Sequence, residues 1–534
     1  MHLKPNDLRQ LNAEKIRQLR ERDPDGLARL SEHLLEDLKE AHERLNQSSS
    51  NSSRPPSSRP PWKPNGAADD DLAANEALDE PSDPEIEEEA VQPPGDETES
   101  PKKPRPSKKD QGEPRKPGKQ EGAPGVARTQ VIPITERKHH VPDRCACCDR
   151  PLASDQAKAY TAFGVLEVEL GGEGHYGLSI FYNQHVYYEA TCTCGHQSRA
   201  EPYRAEVDTE NWGKVALTEW RLIGPSLAAL LVWLRVRMHL SARQTQELLL
   251  ELFAIQLSVG AIHQSFLESA RAASPVEEQI FNALTDQETE VLYADETTYP
   301  QAGEPLWLWV LVGGFAALFA IGRRSKALFN RLLGGLYTGW LMTDGYRVYR
   351  DYPKRLRCWA HLLRKAQGLA ESLSTWPVYY GREMLRLLKI LESGIYAARE
   401  TAAVPASIRQ QCQSELDALR ALCERMAGSS HKKTRALGIE FLNDWDAIFR
   451  ILDHPHLPLT NNEAERTLRP WVILRRITYG TRTPQGSRAL SIFASVTETC
   501  RRREASSLRY LQQVIAAGRS GAEIPSLPPV PVAG

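Results

Sequence analysis

The chain has 534 residues, 41% hydrophobic and 25% charged, with a formal net charge of −2. At about 150 residues per domain this length suggests roughly three domains, and nine cysteines are too few for a disulfide scaffold. The composition excludes a secreted mini-protein, a collagen and a multi-span membrane protein, and no signal-peptide pattern follows Met1.

The near-neutral balance hides an asymmetry. Fourteen acids and no Lys or Arg lie between Gly66 and Ser100, which leaves the rest of the chain at +12. A basic body suits a nucleic-acid partner, whose affinity comes largely from neutralised phosphates.

Residues 1–46 are expected to be helical. Leu8, Leu11, Ile16 and Leu19 form one apolar stripe, Leu27, Leu30, Leu34, Leu38 and Leu45 another, and Asp23-Pro24 interrupts them. A helical hairpin or short coiled coil for self-association follows from that pattern. Residues 47–136 read as a disordered charged linker, with a Ser/Pro segment, the acidic run and a block of eight basic against two acidic residues.

Residues 137–207 form a small strand-rich unit carrying two close cysteine pairs, Cys145-x2-Cys148 and Cys192-x-Cys194, 43 residues apart. Four thiolates suit a tetrahedral structural Zn²⁺, giving a zinc-ribbon-like unit, with Cys147 and His196 as competing ligands. Helical patterning dominates 217–285. Within it, Ser241 is a plausible N-cap, and a turn at Gln256–Ser258 leads to a second helix near Val259. This suits a helix-turn-helix DNA reader, although an ordinary helical hairpin has the same pattern.

Alternating strand and helix signals run from 289 to 372. Val291–Ala294 is a short strand ending in Asp295. The uncharged run Pro305–Gly322 has 18 residues, the lower edge of a membrane span, but Gly313-Gly314 divides it into a buried hairpin. An amphipathic segment near 325–333 follows, then a strand from Trp340 ending in Asp344. Another strand, Arg355–Ala360, feeds a helix with His361 and Arg364. Three antiparallel strands, a helix, then a strand beside the first is the order of an RNase H-like domain, in which Asp295 and Asp344 are neighbours able to share Mg²⁺.

A third carboxylate is expected from Thr460–Arg466, with Asn462 as N-cap. Glu463 and Glu465 lie about 200° apart around a helix, so they do not share a face. Asn462 and Glu465 also fit a capping box, which would leave Glu465 a purely structural task. Between Asp344 and Glu465, a long helical region is expected over 373–450, which the resemblance described below makes an insertion. The second part of the core spans 451–517, and the Pro-rich tail 518–534 is expected to be unstructured.

The elements ADET (294–297), TDGY (343–346), CWAHLLRK (358–365) and TNNEAERTLRP (460–470) resemble those of the DDE transposases of insertion-sequence family sixty-six. NSSRPPSSRP (51–60), RKPGKQEGAPG (115–125), the two-knuckle unit and the N-terminal helix resemble that family's front half. The resemblance implies a catalytic and Mg²⁺-binding (or Mn²⁺-binding) triad of Asp295, Asp344 and Glu465, and chooses Glu465 over Glu463. It implies a site-supporting place for His361 and Arg364. It also implies cleavage at the ends of a mobile element and strand transfer into target DNA, with double-stranded DNA as partner. Homo-oligomers, small companion proteins and a cytoplasmic, nucleoid-associated place without membrane contact follow from the same resemblance. The acidic block and the CACC knuckle depart from the usual pattern.

Arg466, Arg469, Arg475, Arg476 and Arg482 cluster after Glu465 and are expected to meet DNA phosphates, unless they pair with Glu463 and Asp444. Two rivals remain at this level: a DNA-binding regulatory or accessory protein without catalysis, and an RNase H-like nuclease without strand transfer.

Overall fold

A computed structural model describes residues 11–45 and 130–531, apart from 173–174, 207, 209–211, 214, 287–288, 336 and 402–404. The expected linker and its charge blocks lie almost wholly outside the described residues. The protein is mixed α/β with two sheets.

Two N-terminal helices, α1 (Ala13–Arg22) and α2 (Pro24–Leu45), meet at Asp23. Pro24 has no N–H to continue α1, and the Asp23 carboxylate accepts the Gly26 N–H at 2.8 Å, so the break doubles as a cap. The far end of α2 is seated on the body. Glu43 accepts the Leu373 N–H at 3.3 Å and lies 3.2 Å from the Lys433 ammonium.

The first sheet is a long antiparallel hairpin of β2 (Lys158–Gly172) and β3 (His175–Thr191), with β1 (Glu136–His140) parallel to β3 and β4 (Gln197–Arg199) antiparallel to it. Leu166 exchanges backbone hydrogen bonds with Leu222 and Gly224 at 2.6 and 2.8 Å, which ties the hairpin to α3 (Pro225–Val236).

Helix α4 (Ala242–Phe253) starts on a full capping box, Ser241 with Gln244, and ends at left-handed Ala254. Ser258 caps α5 (Val259–Ala273). The helix pair expected from sequence is present. However, α5 buries Ile262, Phe266 and the run Glu268–Ala270, leaving chiefly its first turn and His263 at the surface. Helix α6 (Val276–Thr285) follows.

The second sheet has five strands in the order β7-β6-β5-β8-β9: β5 (Val291–Thr298), β6 (Trp307–Gly313), β7 (Ala316–Gly322), β8 (Trp340–Thr343) and β9 (Arg355–Arg357). Strands β5, β6 and β7 are antiparallel neighbours, while β5, β8 and β9 run parallel. Helix α7 (Lys326–Leu333) supplies the crossover between β7 and β8. The uncharged run is therefore a hairpin, buried from Leu308 to Leu318 except at its turn, as expected for a strand covered on both faces. Among the described residues no helix is long and apolar enough to cross a membrane. The strand expected over Arg355–Ala360 is shorter: it ends at Arg357, because Cys358 caps α8 (Trp359–Ala370).

Helices α9 (Thr375–Thr401), α10 (Pro405–Gln411), α11 (Gln413–Ala427), α12 (Lys432–Asn443) and α13 (Trp445–Phe449) build the insertion. Their apolar faces, including Leu387, Leu391, Leu419, Met426 and Phe441, form one core with Leu356, Trp359 and Leu362. Two buried arginines of β9 fasten the insertion to the sheet. Arg355 reaches the Asp444 carboxylate at 2.6 Å, and Arg357 reaches Asp444 at 2.6 Å and Glu440 at 2.5 Å. Lys365 adds a 2.8 Å contact, and these cations hold Glu440 at about 2 against the upward push of burial.

Helix α14 (Asn462–Thr478) returns the chain to the sheet, followed by α15 (Pro484–Arg502) and α16 (Ser507–Ser520). Ser495 and Thr499 of α15 accept the Phe319 and Ala317 N–H groups at 2.9 and 3.1 Å, covering the edge of β7. The tail departs from expectation. Tyr510 donates to the Pro525 carbonyl at 3.1 Å, Arg503 to Pro528 at 2.6 Å, and the Leu527 N–H bonds Gln279 at 3.0 Å. Proline carbonyls lack no acceptor capacity, so a proline-rich segment can be pinned without joining a helix or sheet.

Removing Arg357 leaves two buried carboxylates short of a partner. Arg357→Leu is expected to cost about 3–5 kcal/mol, read as a lowered urea midpoint.

Candidate active site and cysteine cluster

Backbone register brings the first two carboxylates together. Strands β5 and β8 pair Val291 with Trp340, Leu292 with Leu341 and Tyr293 with Met342. Continued by two residues, the same register sets Asp295 beside Asp344, on strands about 4.8 Å apart. Asp295 accepts the Glu296 N–H at 2.9 Å, and Asp344 accepts the Tyr346 N–H at 2.8 Å. Burial, with the nearby charges of Glu296, Asp344 and Glu465, pushes the Asp295 carboxyl well above its ordinary range. Glu296 is raised to about 7 by burial and Asp344, although Arg324 and Tyr349 pull the other way.

A closed chain of contacts joins the two aspartates through their neighbours. Arg324 donates to Glu296 at 2.8 and 3.0 Å and stacks its guanidinium 3.6 Å from the Tyr346 ring centre and 4.3 Å from that of Trp307. Tyr349 donates its hydroxyl to the other oxygen of Glu296. Gly345, directly after Asp344, has no room for a side chain, since a Cβ there would lie 2.5 Å from the Arg357 guanidinium.

Glu465 arrives on α14, and Asn461 sets its approach. The Asn461 side chain donates to the Ala294 carbonyl at 2.9 Å, and its N–H points at the Cys358 sulfur at 3.2 Å. The cap of α14 is thus Asn461, one residue before the expected Asn462, and its side chain makes no capping bond. The capping-box reading of Glu465 is overturned for the same reason: its carboxylate turns to His361 Nε2 at 3.0 Å and to Arg364 at 3.5 Å. Burial pushes Glu465 up, but His361 and Arg364 outweigh it and hold the carboxyl below its usual value.

The three acids are electrostatic neighbours without forming one tight cluster. Among the described residues, two groups of three or more His, Cys, Asp or Glu side chains have all their ligand atoms within 4.8 Å of one another. One is Cys358, His361 and Glu465; the other is Cys145, Cys148, Cys192 and Cys194.

The four sulfurs fit a tetrahedral ion. Cys145 and Cys194 are 3.7 Å apart, Cys148 and Cys192 3.6 Å, close to the ~3.8 Å edge of a tetrahedron with metal–sulfur bonds of about 2.3 Å. The N–H of Cys148 helps bring the Cys145 thiol down to about 6, and that of Cys194 lowers Cys192. Cys147 and His196 stand outside the group.

The arginines divide. Arg466 is 74% exposed and 3.9 Å from Glu463, and Arg469 and Arg482 are also exposed. Arg475 instead points inward, donating to the Thr297 hydroxyl at 3.1 Å and to Thr298, so it braces β5 rather than facing solvent. Asp444 is taken by Arg355 and Arg357. Glu296, Arg324, Tyr346, Cys358 and Asn461 went unassigned from sequence. The doubled acid at 295–296 and the doubled Asn at 461–462 were the available hints.

With this geometry in hand, the comparisons are specific. A family model described as "Transposase IS66 family" matches residues 221–489, just over half of the chain, and spans Asp295, Asp344, His361 and Glu465. The chain belongs to the IS66 transposase family. Residues 4–67 match a second model, a family of unknown function (DUF6444). A curated relative, "Uncharacterized protein y4qI" of Sinorhizobium fredii (strain NBRC 101917 / NGR234), is 28% identical over 282 residues, 46% of this chain and 51% of that protein. The chain thus spans about half the length of the curated relative it matches.

The raised carboxyl of Asp295 sets a sign for stability in this IS66-family chain. Its contribution is full below the ordinary value of 3.8 and is lost as pH climbs through the raised one. Asp295→Asn is therefore expected to raise the melting temperature of the metal-free protein near pH 8, with the gain vanishing toward pH 4, followed by calorimetry.

Proposed function

We propose that this chain is a transposase that binds insertion-sequence ends, hydrolyses a phosphodiester to free a 3′-hydroxyl and uses that hydroxyl to attack target DNA. The observation that carries the reading is the pair Asp295 and Asp344, set side by side by parallel strands inside the family-matched segment. Sheet order β7-β6-β5-β8-β9, with the first three strands antiparallel, supports an RNase H-like core interrupted by a helical insertion.

Asp295, Asp344 and Glu465 would hold Mg²⁺ or Mn²⁺, and the burial and neighbouring acids that raise the Asp295 carboxyl are a setting that a cation would relieve. Bound there, such ions would activate the attacking oxygen and neutralise the leaving one. His361 and Arg364 hold Glu465 and keep it ionised beside the aspartates. Asn461 fixes the start of α14 against β5. Arg466, Arg469, Arg476 and Arg482 meet DNA phosphates, while Arg475 stays a brace. The four cysteines hold a structural Zn²⁺, with no ligand position open. Leu34, Leu35 and Leu38, exposed on α2, favour a homo-oligomer.

Two measurements test this. Mg²⁺-dependent nicking of a duplex carrying the element's own end should fall at least about a hundredfold in Asp344→Asn, with end binding little changed; wild-type nicking by that variant would refute the site. Zinc analysis should find one ion fewer per chain in Cys148→Ser than in wild type, and no loss in Cys147→Ser.

A further inference from the structure

Cys358, His361 and Glu465 form a three-donor group beside the aspartates that includes neither of them. From it we infer a second metal site, selective for thiophilic divalent ions such as Zn²⁺, Cd²⁺ or Co²⁺, which takes Glu465 as a ligand and so competes with its use alongside Asp295 and Asp344. The binding claim stands on geometry alone, and only its inhibitory consequence rests on the proposed function.

Sulfur, imidazole nitrogen and carboxylate oxygen are together a donor set that zinc accepts, with a fourth position left for water. Mg²⁺ prefers oxygen and binds thiolate poorly, so the site separates soft ions from hard ones. Its frame is largely built. Cys358 is the cap of α8 and His361 lies three residues on, so both side chains rise from one face of the first turn. The Cys358 backbone is anchored by its N–H to Thr343 at 2.9 Å, and its sulfur already accepts the Asn461 N–H, which places the sulfur toward the returning chain; burial pushes the free thiol up, so the ion must displace its proton.

His361 Nε2 and Glu465 Oε1 are 3.0 Å apart, so an ion needs only a small parting of the two to sit between them. The side chains of His361 and Glu465 are 14% and 15% exposed, which leaves a way in, while Cys358 is fully buried. Arg364, 3.5 Å from Glu465, opposes a cation there, and a thiolate with a carboxylate offsets the two charges of the ion. An ion held in this way keeps Glu465 on the Cys358 side and away from the aspartates.

The test uses full-length protein given a single equivalent of Zn²⁺, which four thiolates take in preference to one thiol, one imidazole and one carboxylate, then titrated with Co²⁺ and read by thiolate-to-cobalt absorbance. One further thiolate-bound Co²⁺ per chain is expected in wild type and none in Cys358→Ser; no further band in wild type would overturn the site. Should Cys358→Ser fail to fold, His361→Gln keeps the thiol and should bind Co²⁺ at least about tenfold more weakly, and unchanged affinity would overturn it. In the nicking assay Zn²⁺ should suppress wild type while leaving Cys358→Ser at its own zinc-free rate. Equal suppression of both would refute the competition. A protein that shows the cobalt band yet nicks no DNA would sink the transposase reading and leave the metal site standing.

Discussion

Strands β5 and β8 run parallel, and their register carried two residues on sets Asp295, within β5, beside Asp344, just after β8, so the two must face one another's charge. For two unit charges about 5 Å apart, an effective dielectric near 20 gives roughly 3 kcal/mol of repulsion. Much of the surrounding architecture answers that cost. Backbone N–H groups of Glu296 and Tyr346 turn toward the two carboxylates. Arg324 sits where it can bond Glu296 and stack on Tyr346 at once, so one cation serves both strand ends. Burial comes first, and with the charges of Glu296, Asp344 and Glu465 it outweighs those groups and holds the Asp295 carboxyl well above its ordinary range. A buried set of acids with so few cations against it is the kind of site that a bound cation would relieve.

Part of this was legible in sequence and part was not. The aspartates could be found because each follows a short apolar run; Asp344 does end its strand, whereas β5 runs on past Asp295 to Thr298 because it stays paired with β6, and Gly313-Gly314 exposed the hairpin hidden in an apolar stretch. Cysteine pairs at close spacing gave the four-sulfur group because a knuckle is local. What escaped depended on contacts across the chain. Asn461 looks like half of an ordinary helix cap, and only the folded chain shows its amide spent on Ala294. Arg475 sits among arginines in sequence, yet it turns to Thr297 and Thr298 because α14 packs on β5. The proline-rich tail has no periodicity to betray its hydrogen bonds to Tyr510, Arg503 and Gln279.

Both ends of the insertion are fastened at the site it interrupts. It departs through α8, whose first turn carries His361, and returns at Leu459, which accepts the Trp359 N–H at 2.9 Å. Asn461 then ties the returning chain to Cys358 and to β5. An excursion with joined ends closes its loop on native contacts, so its length adds little to the entropy of positioning Glu465. The Arg355 and Arg357 pairs with Asp444 hold the same helices to the far edge of the sheet.

This arrangement seats the three acids on different elements. Asp295 lies within β5 and Asp344 directly follows β8. Glu465 belongs to a helix whose start is held by two hydrogen bonds from one asparagine, and its carboxylate rests on residues of α8. The insertion also meets the aspartate side of the site, since Arg357, paired with its Asp444 and Glu440, lies against Gly345 next to Asp344. The Cys358–His361 face is the resting place that the described structure gives Glu465.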